Sequence, residues 1–133
     1  MDLVIKKGMV GEPYNIGGNE KHANLNIVDR LCASVDGVFA ANDSLNERFP
    51  NAPAASGMST PTLITMVRDR PGHDWRYAID AGRIHSELGF TSAHDFASGL
   101  HSTVDWMLAN EGWWCDIFDD SYRRWIEDQY ETR

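Results

Sequence analysis

Only two short stretches of this chain have the character of β-strands, and that scarcity bounds the folds open to it. EPYNIG at residues 12–17 is short, apolar and β-prone, and Gly17-Gly18 stops it. TLITMV at 62–67 reads the same way. Two strands do not make an independently stable sheet unless helices cover them. Helical signals are more frequent. Leu25, Val28, Leu31, Cys32 and Val35 recur at helical spacing behind Asn24, a residue type suited to an N-cap, which predicts a helix over about 24–36. The resulting order is strand–helix–loop–strand–helix–helix–helix. The expected fold is therefore α/β, a small sheet of two or three strands covered by about four helices.

The remaining segments fill in that outline. Leu3, Val4 and Ile5 run into Lys6-Lys7-Gly8, as at the end of a helix. Asp80 is placed to cap a short helix through Leu88, and Gly89 to end it. Phe96, Leu100, Val104, Met107 and Leu108 define one face of a helix over about 94–109. A last amphipathic helix carries Tyr122, Trp125, Ile126 and Tyr130, with its N-cap near Asp119 to Ser121. Residues 37–61 have no sustained periodicity and are rich in Ala, Asn, Ser and Pro. Such a stretch is either a flexible excursion or hides one helical turn near Ser44–Phe49. A chain of 133 residues is expected to form a single domain, 1–133. The first ten residues lack the apolar core of a signal peptide and no apolar run approaches the length of a membrane span, so a soluble chain without membrane contact is expected.

Charge narrows the partners. With 20 acidic side chains against 12 Lys and Arg, the net charge of −8 argues against nucleic acid, which is bound by neutralising phosphates. Yet RDRPGHDWRYAID gathers Arg68, Arg70, Arg76 and His73 around Pro71-Gly72, a dipeptide that turns the chain. If TLITMV is a strand, Arg68 and Arg70 project from its carboxyl end, where open α/β sheets bind ligands. Planar guanidinium groups suit phosphate oxygens, so a phosphate or diphosphate is the indicated ligand. Solvated arginines beside Asp69 and Asp74 are the alternative reading of the same residues.

Other chemistries find little support. His22, His73, His85, His94 and His101 form no metal-binding spacing, and no GxSxG elbow is present. His85 reads as a partly packed helix residue, and Cys115, after Trp113-Trp114, as a small buried hydrophobe. Asp116, Asp119 and Asp120 complement the dipole of the last helix. Gly17-Gly18 matches neither GxGxxG nor GxxxxGK[ST].

GEPYNIGGNEK, ANLNIVDRLC, DRPGHDWRYAID, SELGF and WIEDQYE occur in this order. Together they resemble the C-terminal part of the dTDP-glucose 4,6-dehydratase family, within the extended short-chain dehydrogenases/reductases, over nearly all of residues 8–133. The resemblance implies a substrate-binding portion without the N-terminal Rossmann domain that binds NAD, so no cofactor is expected on this chain. It implies nucleotide-sugar contacts at Asn24, Arg70, His73 and Tyr130, with Arg70 on the diphosphate of a dTDP-sugar or other nucleoside diphosphate. The family's Tyr-x-x-x-Lys pair cannot be formed. Lysines occur only at 6, 7 and 21, and the positions four before them that exist hold Asp2, Leu3 and Gly17. No catalytic residue is therefore assigned, and activity is not expected from this chain alone. A cytoplasmic homo-oligomer is expected, because unpaired strand edges and bare helix faces invite self-association. The alternative is a stand-alone homo-oligomeric interaction protein derived from a dehydratase gene fragment.

Overall fold

A computed structural model describes residues 1–18, 20–69, 71–73, 78–115, 117–118 and 120–131, the last helix with side chains at 121, 122, 124–126 and 128. The α-helices are α1 (Asp2–Lys7), α2 (Asn24–Ala41), α3 (Ser44–Arg48), α4 (Gly82–Leu88), α5 (Phe96–Ala109), α6 (Glu111–Cys115) and α7 (Asp120–Glu131). Two 3₁₀ turns, Pro53–Ser56 and Thr60–Leu63, lie between α3 and α4. Among the described residues there is no strand, so the expected α/β fold with a small sheet is corrected to a helical one.

The two β-prone stretches fail as strands for separate reasons. Residues 12–17 are held through side chains. The Tyr14 hydroxyl donates to Glu87 Oε2 at 2.9 Å, and Asn15 Nδ2 donates to the Asp80 carbonyl at 3.2 Å. Pro13 has no amide to give a ladder. In TLITMV, Pro61 starts the 3₁₀ turn and the Ile64 amide returns to its carbonyl at 3.0 Å, which uses the segment's beginning. β-branched side chains favour a strand only where a neighbouring strand offers a surface to pack against.

α2 and α5 form the longest helix pair. α2 runs five residues beyond the predicted end. Gly37 is tolerated inside it, because the continuation buries Phe39 and sets its ring 6.3 Å from Phe49. At its far end Asn42 Oδ1 accepts from the Ser44 amide at 3.1 Å and the Ser44 hydroxyl at 2.8 Å, which turns the chain into α3. The helical turn expected near 44–49 is thus α3, anchored by buried Leu45. At the other end Ala23, not Asn24, holds the cap position of α2, and no side chain caps it. α5 has a local cap: Asp95 Oδ1 accepts from the Ser98 amide at 2.8 Å. Val104 is buried along α5, and Ser34 meets His101 at 3.3 Å across the pair. Asp36, midway along α2, accepts from the Thr60 amide and from the Ser59 hydroxyl, both at 2.9 Å, and from the Thr60 hydroxyl. These bonds dock the second 3₁₀ turn on α2.

A second cluster forms around α4. Ala81, Ile84 and Leu88 are buried, with Leu3 and Val4 of α1, Tyr14 and Phe90 packed on them. Asp80 Oδ1 accepts from the Gly82 amide at 2.8 Å. Ala81, not Asp80, holds the cap position, while Gly89 ends the helix as expected at φ 69°, a left-handed value that glycine adopts without strain. Arg83 ties the cluster together, with Nη1 2.8 Å from Glu12 and Nε 3.0 Å from Glu87.

Burial is sparse elsewhere. Among the described residues the buried apolar side chains are Cys32, Phe39, Leu45, Ala81, Ile84, Leu88 and Val104, while Trp113, Ile117, Trp125 and Ile126 are exposed. Cys115 is exposed, against the expectation of a buried residue, while Cys32 on the apolar face of α2 is buried. The chain presents 10531 Å² of accessible surface. A compact protein of 15.0 kDa presents about 7,000 Å².

Two outcomes follow from this packing. Ile84→Ala lowers urea-measured stability by roughly 2–4 kcal/mol, because it opens a cavity in a three-residue cluster, whereas Ile5→Ala on the open side of α1 changes it by less than about 0.5 kcal/mol. The Thr60 bonds hold the Asp36 carboxyl below its ordinary value of 3.8. Its stabilising effect is therefore complete above that value and is lost as pH falls through the lowered one. Acid unfolding followed by circular dichroism is then shallower for Asp36→Asn than for the wild type.

Candidate functional site

The arginine-rich segment contains the expected turn. Gly72 adopts φ 72°, and Pro71-Gly72 reverses the chain. His73 follows directly and is exposed, its Nδ1 2.7 Å from Asp69 Oδ1. An imidazole gripped through Nδ1 presents Nε2 on its opposite side, where it can meet a ligand. Arg68 is exposed at the entry to the turn. It does not stand at the end of a strand, since residues 64–69 are irregular, so the sheet-edge argument for this site is withdrawn. Arg70, Asp74 and Arg76 lie outside the described residues, as do Asp116, Asp119 and the side chains of Asp120 and Tyr130.

Asn24 is the first residue of α2 and is exposed. No hydrogen bond among the described residues joins it to His73. The two meet no common partner there, and any ligand that uses both must span the space between them.

A further polar group, not singled out in the sequence, lies where the chain enters α2. Glu20 Oε1 accepts from the Phe96 amide at 2.7 Å, and its Oε2 is 2.8 Å from His22 Nε2. The His22 ring lies 4.5 Å from the Phe96 ring at 40°, and the Arg30 guanidinium stands 5.9 Å from the same ring. A cleft of about 480 Å³ opens beside them, lined by residues that include Glu20, His94, Asp95 and Leu100. The Phe96 amide, then His22, holds the Glu20 carboxyl below its ordinary range. Ser98 does the same for Asp95. The D-x-x-S spacing at 95–98 is a legible capping signal, but nothing local marks Glu20, whose partner is 76 positions away.

These contacts give the two long helices different heads. α5 carries two carboxylates on its first turn, which neutralise its positive end. α2 has Ala23 at its cap and no acidic residue in its first turn. An anion therefore meets repulsion at the first head and none of that kind at the second.

Metal and dinucleotide chemistry fit poorly. Among the described residues no three His, Cys, Asp or Glu side chains gather as a metal site. NAD needs a glycine-rich turn between a strand and a helix, with the pyrophosphate on the helix N-terminus. Gly17-Gly18 lies outside any strand, and the nearby Glu20 carboxylate already occupies the head of α5. The residues present do not fit that cofactor. No described helix is long and apolar enough to cross a membrane.

No family model matches the chain. Curated proteins do. The dTDP-glucose 4,6-dehydratase of Salmonella typhimurium (strain LT2) is 42% identical over 133 residues, which is 100% of this chain and 33% of that protein. That of Neisseria meningitidis serogroup B is 43% identical over 120 residues, 90% of this chain and 31% of the relative. One from Escherichia coli is 39% identical over 130 residues, 98% of this chain and 32% of the relative. The chain is thus homologous along its length to the C-terminal part of dTDP-glucose 4,6-dehydratase, and it spans about a third of the length of the curated relatives it matches.

Proposed function

We propose that this chain carries part of the nucleotide-sugar site of a dTDP-glucose 4,6-dehydratase and does not complete the reaction by itself. The similarity to proteins of that name along the whole chain carries this reading. Arg70 takes the diphosphate of a dTDP-sugar, since a guanidinium fork can donate two parallel hydrogen bonds to phosphate oxygens. His73, steadied by Asp69, adds a contact beside it. Asn24 contributes a polar group at the uncapped head of α2, and Tyr130 closes over the ligand from α7. Dehydration needs an oriented nicotinamide and a placed base. The lysines at 6, 7 and 21 have no tyrosine four residues before them, so the proposed role is binding alone. NAD is then held by parts of the enzyme that this chain does not match. The same reading puts the chain in the cytoplasm.

The exposed Trp113, Trp125, Ile117 and Ile126 favour a second reading, self-association into a homo-oligomer. Light scattering behind size exclusion distinguishes that state from a monomer.

Calorimetric titration with dTDP tests the first reading. We expect saturable binding with Kd below about 1 mM, at least tenfold weaker in Arg70→Ala. No heat of binding at millimolar dTDP, or equal affinity in the variant, overturns it.

A further inference from the structure

We propose that Glu20 is a positioning residue: its carboxylate fastens the chain entering α2 to the head of α5 and so fixes where Asn24 stands. Where this concerns ligand binding it rests on the nucleotide-sugar reading above. At the head of α5, Asp95 caps the helix through the Ser98 amide at 2.8 Å and the Ser98 hydroxyl at 2.6 Å. The first amides of a helix have no intrahelical partner. Glu20 brings a second carboxylate to the same turn from far along the chain and takes a different one of these amides, that of Phe96 at 2.7 Å. The bond therefore meets a need of α5 and at the same time ties down Glu20's own segment.

Both carboxylate oxygens are used. While Oε1 holds Phe96, Oε2 lies 2.8 Å from His22 Nε2, and the half-buried His22 ring lies against Phe96 at 4.5 Å. Residues 20 and 22 are thus bonded to each other and both held at Phe96, one on its backbone amide and one on its ring. Arg30, two turns into α2, reaches that ring at 5.9 Å and bonds Asn26 Oδ1 through Nε at 3.0 Å. Asn24 lies between these two anchor points and has no cap bond of its own. Its position is set by the Glu20–Phe96 bond on one side and by the packing of α2 on α5 on the other. The bond to a backbone amide also makes the tether insensitive to side-chain changes at 96.

Three forms of the full chain test this: wild type, Glu20→Ala and Glu20→Gln. Amide hydrogen exchange reads the tether without any ligand. In Glu20→Ala the Phe96 amide exchanges at least about tenfold faster, while Ile84 and Leu88 are unchanged. Glu20→Gln recovers most of the protection at Phe96, because its amide oxygen still accepts. Titration with dTDP reads the positioning, and Glu20→Ala weakens binding by about tenfold with partial rescue in Glu20→Gln. Unchanged exchange at Phe96 in Glu20→Ala overturns the tether. Faster exchange with unchanged dTDP affinity overturns the positioning of Asn24. If the wild type binds no dTDP the nucleotide-sugar reading fails, and the exchange result alone decides whether Glu20 holds the entry to α2.

Discussion

The order of this chain depends on α2 resting against α5. They have 18 and 14 residues, whereas α1, α3, α4 and α6 have between five and seven. Helices of one or two turns do not persist in water without a surface to lie on. The long pair supplies that surface. Both 3₁₀ turns attach to α2, α3 attaches to the first of them, and α6 attaches to α5. Arg48 of α3 reaches across to donate to the Leu108 carbonyl at 2.6 Å and to Glu111 at 3.2 Å. It thereby serves a carbonyl at the end of α5 that no intrahelical amide can reach. Exposed ion pairs contribute little. Those that also take up a helix-end group do more, because they remove an unmet backbone requirement.

A sheet would have supplied that cohesion through main-chain bonds. In its place polar side chains join distant backbone groups: Asp36 to Thr60, Asn15 to Asp80, Glu20 to Phe96, Arg48 to Leu108. Each spans at least 24 positions and each ends on a backbone atom. Such bonds hold elements in register but bury no apolar surface. The accessible area therefore stays well above that of a compact protein of this mass, and in the aromatic run Trp114–Phe118–Tyr122–Trp125 ring centroids lie 5.2–6.0 Å apart, with Trp114 stacked on Phe49 at 6.3 Å.

What was legible in the sequence was local. Gly89 ends α4 through its own left-handed conformation, and the face of α5 shows in the spacing of Phe96, Leu100 and Val104. The strands were misread because β-propensity reports fitness for a sheet surface, and residues 12–17 and 62–67 meet none among the described residues. α2 was cut short at Gly37 because the gain from burying Phe39 against Phe49 comes from a residue ten positions later. α6 was missed because a five-residue helix carries no period to detect. In the candidate site the Pro71-Gly72 turn follows from adjacent residues, whereas Asp69, read beside the arginines, pairs with His73. Glu20 could not be found that way, since its meaning depends on where Phe96 comes to rest.

A chain with net charge −8 can hold an anion only if its carboxylates are kept from the place where the anion binds. Glu20, Asp36, Glu87 and Asp95 all have their carboxyls lowered, and in each case hydrogen bonds from amides, hydroxyls or Arg83 are the cause. Their charge is directed at donors in their own surroundings. None of the four belongs to residues 68–76, and within that stretch Asp69 lies against His73. Lowered carboxyls also stay ionised in mild acid, so the arrangement persists across the pH range in which a diphosphate keeps its charge. The same bonds that hold helix heads and turns therefore also tie these four carboxylates to donors outside the arginine-rich segment.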